Sequence, residues 1–124
     1  MAKILVIDDE TDLRHEIVEL LTFEDYEAIG AEDGWVGVER ALQDQPDLIL
    51  CDLTMPGLDG YGVLIELRAN PATAEIPFIF ITARSAPEDI QKGMTLGAND
   101  YLTKPFYHQD LFRAIEACLS PKPR

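Results

Sequence analysis

The sequence is poor in basic residues and has no long apolar run. Ten lysines and arginines stand against 23 aspartates and glutamates, which gives a formal net charge of −13 at pH 7. A chain with this charge repels a phosphate backbone, so we do not expect the segment to bind nucleic acid directly. Its uninterrupted apolar runs are only a few residues long. A membrane-spanning helix needs roughly 20 apolar residues, so none is expected.

Cysteine is also scarce. The two cysteines, Cys51 and Cys118, lie in apolar surroundings without the spacing of a metal site. No basic segment followed by an apolar stretch precedes the first hydrophobic run, as a secretory signal would require. Both features are typical of a reducing cytoplasm, where we expect the protein.

At 124 residues and 47% apolar content, one domain with one real core is predicted. We assign residues 1–119 to it and 120–124 to a tail or the start of a linker.

Three short segments are apolar at every position, as is typical of parallel strands covered by helices on both faces. They span residues 4–7, 48–51 and 78–81. Two weaker segments, around 27–31 and 99–103, mix polar and apolar residues and are predicted to be edge strands.

Segments of helical period lie between these strands. The apolar residues that share a helical face are Leu13, Ile17, Leu20 and Leu21, then Trp35, Val38 and Leu42, and finally Leu111, Ile115 and Cys118. Another helix is predicted over 60–70. Ser85 with Glu88 three residues later has the form of a capping box that opens a helix through about Leu96. Five strands and five helices in strict alternation predict a doubly wound α/β fold.

Polar residues close four of the five predicted strands. They are Asp8 and Asp9 after the first strand, Asp52 after the third, Thr82 at the fourth, and Thr103 leading into Lys104 and Pro105 after the fifth. In an open parallel sheet the ligand site forms at this edge. Any one of these residues alone is most simply a helix cap, a turn residue or solvated surface. Together at one edge, they are better explained by a functional site.

The chemistry of this set suits phosphoryl transfer. Three neighbouring carboxylates repel one another unless a cation neutralises them. Mg²⁺ fits such a site because it takes oxygen ligands, keeps some of its waters and shares a phosphate oxygen. With the Lys104 ammonium and the Thr82 hydroxyl, it would stabilise the charge on a phosphoryl group in transfer. Asp52, the central and most enclosed carboxylate, is the predicted nucleophile.

From residue 3 to about residue 119 the sequence resembles the receiver domains of two-component response regulators. The resemblance is carried by Asp8-Asp9, by the segment 52–60 (Asp-Leu-Thr-Met-Pro-Gly-Leu-Asp-Gly), by Thr82-Ala83 and by Lys104-Pro105-Phe106. It implies a flavodoxin-like (βα)5 parallel sheet with strand order 2-1-3-4-5. It also implies a signalling phosphoacceptor that assists only its own phosphorylation and slow dephosphorylation, and is not otherwise an enzyme.

The resemblance implies a role for each acidic residue. Asp52 would accept the phosphoryl group from a phosphohistidine on a sensor kinase or phosphotransfer protein. Mg²⁺ would be held by Asp9, Asp52 and the backbone carbonyl of Thr54, with Asp8 acting through a water ligand. Thr82 and Lys104 would bind the phosphoryl oxygens.

The resemblance also implies a switch and a loop geometry. Tyr101 would turn inward as Thr82 moves towards the phosphoryl group, although packing alone would explain an aromatic residue there equally well. The Lys104–Pro105 peptide bond is expected to be cis. The residues expected to shape the phosphoacceptor loop are Pro56, Gly57 and Gly60. Output to a downstream protein or an output domain would pass through the face near Tyr101, and a phosphorylation-dependent homodimer stays open.

Three alternatives are weighed against this interpretation. A haloacid-dehalogenase-type phosphatase needs a second Asp two residues after the nucleophile, where this chain has Thr54. A flavodoxin-like or cobalamin-binding module needs a Ser/Thr/Gly-rich phosphate loop or a histidine ligand after an early strand, and neither is present. A receiver-like domain without phosphorylation is disfavoured by the intact acidic set. The sequence does not decide between a free-standing receiver and a piece of a longer regulator.

Overall fold

The computed structural model describes residues 1–119, so the predicted tail at 120–124 lies outside the described residues. The strands are β1 (Lys3–Ile7), β2 (Glu27–Ala31), β3 (Leu48–Cys51), β4 (Phe78–Thr82) and β5 (Asp100–Thr103). The helices are α1 (Thr11–Phe23), α2 (Gly34–Asp44), α3 (Gly60–Ala69), α4 (Pro87–Thr95) and α5 (His108–Leu119). All strand pairs are parallel, in the order β2-β1-β3-β4-β5. The predicted doubly wound α/β sheet and its strand order are confirmed.

Each face of the sheet has its own apolar core. α1 and α5 cover one face, where Ile17, Leu21, Leu111 and Ile115 pack with Ile4, Val6, Ile79 and Ile81. α2 and α3 cover the other, where Ala41, Val63, Leu64 and Leu67 pack with Leu5, Ile7, Ile49 and Phe80. Every residue of β3 and β4 is buried, as the uninterrupted apolar runs predicted. Within the described chain, no helix is both long and apolar enough for a bilayer crossing.

The helical face predicted for α2 is wrong for two of its three residues, because only Val38 among them packs against the core. Trp35 and Leu42 are exposed, and the buried residues of α2 are the small ones, Gly34, Gly37 and Ala41. A Cβ added at Gly37 would lie 2.5 Å from Cδ1 of Ile7, so the helix backbone rests almost directly on β1. Small residues permit this approach, and the large apolar residues are left on the outer and lateral sides.

The capping box predicted for α4 is also wrong. The helix begins at Pro87, and its N-cap is Ala86, which offers no side-chain acceptor. The residue before a proline is disfavoured in helical conformation, and Ala86 is extended with φ −64° and ψ 137°. Ser85 therefore lies one residue too early to cap the helix.

The register of the sheet brings the polar strand ends together. Ile7 pairs with Cys51, and Thr82 pairs with Thr103. The ladder continues beyond the strands, because Asp52 N donates to Ile7 O at 2.9 Å and Lys104 N donates to Thr82 O at 2.8 Å. Four strands therefore end level at one edge, where the site lies.

Candidate functional site

Three carboxylates meet at the carboxyl edge of the sheet. One oxygen each from Asp8, Glu10 and Asp52 lie within 4.8 Å of one another, a spacing that can hold a metal ion. Asp8 and Asp52 are buried, at 2% and 6% exposure, while Glu10 is exposed. Asp9, the expected ligand beside Asp8, is exposed and is not part of this group among the described residues. Hard divalent cations take such oxygen ligands.

The Asp8 carboxyl is held in place by polar partners, which offset only part of the cost of burying its charge. Its Oδ1 accepts a hydrogen bond of 2.9 Å from Glu10 N, and its Oδ2 lies 3.6 Å from the Lys104 ammonium. Burial raises the pKa of Asp8 above its ordinary value, and the Asp52 charge adds to the rise; the Glu10 amide and Lys104 oppose it. A bound cation would lower the cost of keeping this group ionised.

Lys104 joins the two buried carboxylates. Its Nζ lies 3.5 Å from Asp52 Oδ2, with the lysine side chain only 19% exposed. The other oxygen, Asp52 Oδ1, accepts a long hydrogen bond of 3.4 Å from Thr54 N. The Lys104–Pro105 peptide bond is cis, as expected. The residues predicted as nucleophile and phosphoryl-binding lysine are therefore neighbours.

The loop after Asp52 depends on two glycines. Gly57 has a φ of +79°, a left-handed conformation that favours glycine. A Cβ added at Gly60 would lie 2.5 Å from the backbone oxygen of Asp52 and 2.8 Å from Leu53 Cα. Asp59 accepts from Gly62 N at 2.9 Å and caps α3 at this point. Pro56 is exposed on the loop. The loop returns close to Asp52 because position 60 has no side chain.

A chain of hydrogen bonds links Thr82 to Tyr101. The buried Thr82 hydroxyl oxygen accepts from Arg84 N at 3.3 Å, and Tyr101 OH donates to Arg84 O at 2.7 Å. The Tyr101 ring is tilted against Phe80, with centroids 5.6 Å apart. Tyr101 is half-buried, so it is set between the core and the surface.

A second set of contacts fastens the loop between β4 and α4. The Arg84 guanidinium binds both carboxylate oxygens of Asp89, at 3.1 and 3.3 Å. Tyr61 OH donates to Asp89 O at 2.9 Å, and Lys92 Nζ lies 4.4 Å from the centre of the Tyr61 ring. α3 and α4 are thereby joined beside the site.

Sequence analysis missed Glu10 and Asp89. A signal for Glu10 was available, because Asp8, Asp9 and Glu10 form an unbroken acidic run of which only the pair was used. The pairing of Arg84 with Asp89 depends on how the loop after β4 turns, which no local pattern states.

Comparison with known proteins decides the family. The sequence matches the response regulator receiver domain over residues 4–116. The chain belongs to the response regulator receiver domain family. Receiver domains are signalling modules of two-component systems, and the sheet found here is the flavodoxin-like sheet of its relatives.

Two relatives show how this receiver domain compares in length. Protein PilH of Pseudomonas aeruginosa is 36% identical over 120 residues, which cover 97% of this chain and 99% of PilH. The probable transcriptional regulator ycf27 of Porphyridium aerugineum is 41% identical over 117 residues, which cover 94% of this chain but 48% of that protein. The receiver domain therefore spans nearly the full length of one relative and about half of the other.

Solved structures agree with the fold. Chemotaxis protein CheY4 of Vibrio cholerae is similar with a TM-score of 0.91 and 29% identity, over 96% of this chain and 99% of that chain. A putative response regulator from Chloroflexus aurantiacus has a TM-score of 0.91 and 30% identity, over 97% and 98%.

Proposed function

We propose that this receiver domain accepts a phosphoryl group on Asp52. The observation that carries the proposal is the position of the Lys104 ammonium, 3.5 Å from one oxygen of a buried carboxylate at a strand end. An Asp52 oxygen attacks the phosphorus of a phosphohistidine, a P–O bond forms, and the P–N bond to the imidazole breaks. Lys104 and the Thr82 hydroxyl then bind phosphoryl oxygens, where negative charge accumulates in the transition state.

The acidic cluster is proposed to hold Mg²⁺. The ligands are Asp52, the Thr54 carbonyl and a carboxylate of the loop after β1, with Asp8 acting through water. The resemblance favours Asp9 as the loop carboxylate, whereas Glu10 supplies one of the three carboxylate oxygens that lie within 4.8 Å of one another. When bound, the cation supplies neutralising charge for the phosphoryl group and the carboxylates.

Phosphorylation is proposed to switch the loop between β4 and α4. The Thr82 hydroxyl turns towards a phosphoryl oxygen and gives up its contact with Arg84 N. The Arg84 carbonyl then no longer holds the Tyr101 hydroxyl, and the ring turns inward. A local change in charge thereby shifts the equilibrium between two arrangements of this loop.

The partners follow from this chemistry. A sensor histidine kinase or a histidine phosphotransfer protein donates the phosphoryl group. A downstream protein or an output domain is contacted through the face near Tyr101, which includes Phe106 and Tyr107. Association of two phosphorylated copies through this face is a second form of output.

The test is intact-protein mass after incubation with acetyl phosphate, with and without Mg²⁺. Wild type is expected to gain one phosphoryl group only when Mg²⁺ is present. Asp52→Asn, which keeps the shape but removes the nucleophilic charge, is expected to gain none. A gain of equal size in Asp52→Asn would contradict the proposal.

A further inference from the structure

The Arg14 side chain reaches back from α1 to the loop that carries the first carboxylate. Its Nη1 donates a hydrogen bond of 2.7 Å to the backbone oxygen of Asp8. A hydrogen bond from an ionised donor is shorter and roughly twice as strong as a neutral one. The guanidinium therefore ties the start of the loop to the helix that follows it.

Gly30 on β2 leaves space for the side chain of Arg14. A Cβ added at Gly30 would lie 3.2 Å from Cδ and 3.4 Å from Cγ of Arg14. These distances are tighter than ordinary van der Waals contact, so a side chain at position 30 would displace the arginine stem. The half-buried Arg14 crosses the edge strand at the residue that offers it space.

The other polar groups of Asp8 are engaged as well. Its N–H donates to Ala31 O at 3.1 Å, and its carboxylate accepts from Glu10 N and faces Lys104. Arg14 supplies the partner for the remaining group, the backbone carbonyl. Because Arg14 binds this carbonyl, it orients the loop without competing with a cation for the acidic oxygens.

We propose that Arg14 is a positioning residue for the metal site. It fixes the loop of residues 8–10 so that the acidic oxygens are already arranged when Mg²⁺ binds. The inference rests on the proposed function, since it concerns the same metal site. Partners behind metal ligands typically change affinity by 10- to 100-fold, and a residue that acts through the backbone belongs near the lower value, about tenfold.

The first measurement is Mg²⁺ affinity by isothermal titration calorimetry, which does not depend on phosphorylation. Arg14→Gln is expected to raise the Kd for Mg²⁺ by about tenfold. Arg40→Gln is the matched control, because it removes the same charge from an exposed side chain on α2 and leaves Asp8 untouched. The control is expected to bind Mg²⁺ as wild type does. Arg14→Lys, which keeps a charged donor, is expected to recover part of the affinity.

The rate of phosphorylation by acetyl phosphate, measured against Mg²⁺ concentration, distinguishes a positioning role of Arg14 from a loss of fold. In Arg14→Gln the Mg²⁺ concentration for half-maximal rate is expected to rise, while the rate at saturating Mg²⁺ stays as in wild type. Gly30→Ala is expected to weaken Mg²⁺ binding through the displaced arginine. The double variant should be no weaker than Arg14→Gln alone, because both changes remove one interaction.

Three results would overturn the inference. An Arg14→Gln protein that binds Mg²⁺ as tightly as Arg40→Gln would show that Arg14 does not position the site, and the proposed function would stand. If Arg14→Gln does not fold, the test is made with Gly30→Ala. An unchanged Kd for Mg²⁺ in that variant contradicts the inference. Wild type that neither binds Mg²⁺ nor gains a phosphoryl group would defeat the proposed function as well.

Discussion

Lys104 illustrates at the scale of single residues why a cation suits this site. Its ammonium lies 3.6 Å from Asp8 and 3.5 Å from Asp52, so it neutralises one of the charges gathered there. Three carboxylates and one ammonium leave two negative charges, which one divalent cation would neutralise. A lysine is a compact point charge with three donors and can turn from carboxylate to phosphoryl oxygens without leaving the site.

Glu10 gives the first residue-scale prediction. Its carboxylate oxygen lies within 4.8 Å of those of Asp8 and Asp52, so Glu10→Gln is expected to raise the Kd for Mg²⁺, though less than Asp52→Asn. The control is Glu19→Gln, an exposed acidic residue on α1 with the same change of charge. Calorimetric titration with Mg²⁺ measures all three. If Glu10→Gln behaves like the control, the loop carboxylate that binds the metal is Asp9, as the resemblance implies.

Tyr101 gives a prediction about pH. Burial, with the neighbouring Tyr61 and the Asp89 charge, raises the pKa of Tyr101 from 10.0 to about 12. The folded protein therefore holds this proton more tightly than the unfolded chain does. The contribution of Tyr101 to the free energy of unfolding is full below about pH 10 and is lost as the pH rises towards 12.

Tyrosinate absorbance measures this pKa directly. The absorbance present in wild type but missing from Tyr101→Phe is expected to develop around pH 12. Tyr107→Phe removes a tyrosine that is 75% exposed. The absorbance missing from this variant shows how a solvated tyrosine of the same protein ionises, and it serves as the control. Ionisation of Tyr101 near pH 10 would contradict the prediction, because burial and the neighbouring groups would then not raise its pKa.

At the scale of elements, the sequence predicted strands better than the packing of helices. A strand buried on both faces is apolar at every position, so 48–51 and 78–81 were recognised from composition alone. For α2 the pattern of large residues suggested the wrong face, because Gly37 lies where Ile7 fills the space. That contact is set by β1, which is distant in sequence. Local periodicity cannot reveal which neighbour requires a small residue.

Arg68 gives a prediction at this scale because it joins α3 to two later segments. Its Nη1 donates to Ile76 O at 2.8 Å, and its Nη2 donates to Gly97 O at 3.0 Å. Arg68→Ala is expected to lower the free energy of unfolding by about 1–3 kcal/mol, because two carbonyls lose a charged donor. Urea unfolding of wild type and Arg68→Ala measures this difference in the free energy of unfolding.

A matched variant tests whether the effect comes from these bonds. Arg40→Ala removes an exposed arginine whose ion pair with Asp44, at 3.6 Å, lies within one helix. Its loss is expected to change the free energy of unfolding by less than about 0.5 kcal/mol. Equal losses in the two variants would show that Arg68 does not join the segments.

At the scale of the whole molecule, the site was predictable because parallel strands all end at one edge. The positions of Asp8, Asp52, Thr82 and Lys104 follow from four strand ends and one sheet order. The contacts that fasten the site, such as Arg84 with Asp89, depend on loop paths and side-chain directions. Those are set by tertiary packing, so the sequence alone did not provide them.

The most direct test of the central claim is to locate the phosphoryl group itself. Wild type is incubated with acetyl phosphate and Mg²⁺, treated with borohydride, which reduces an acyl phosphate to an alcohol, and mapped by peptide mass spectrometry. The account predicts homoserine at position 52 and unmodified Asp8, Asp9 and Glu10. A reduced residue at one of those three positions, or none at position 52, would contradict it.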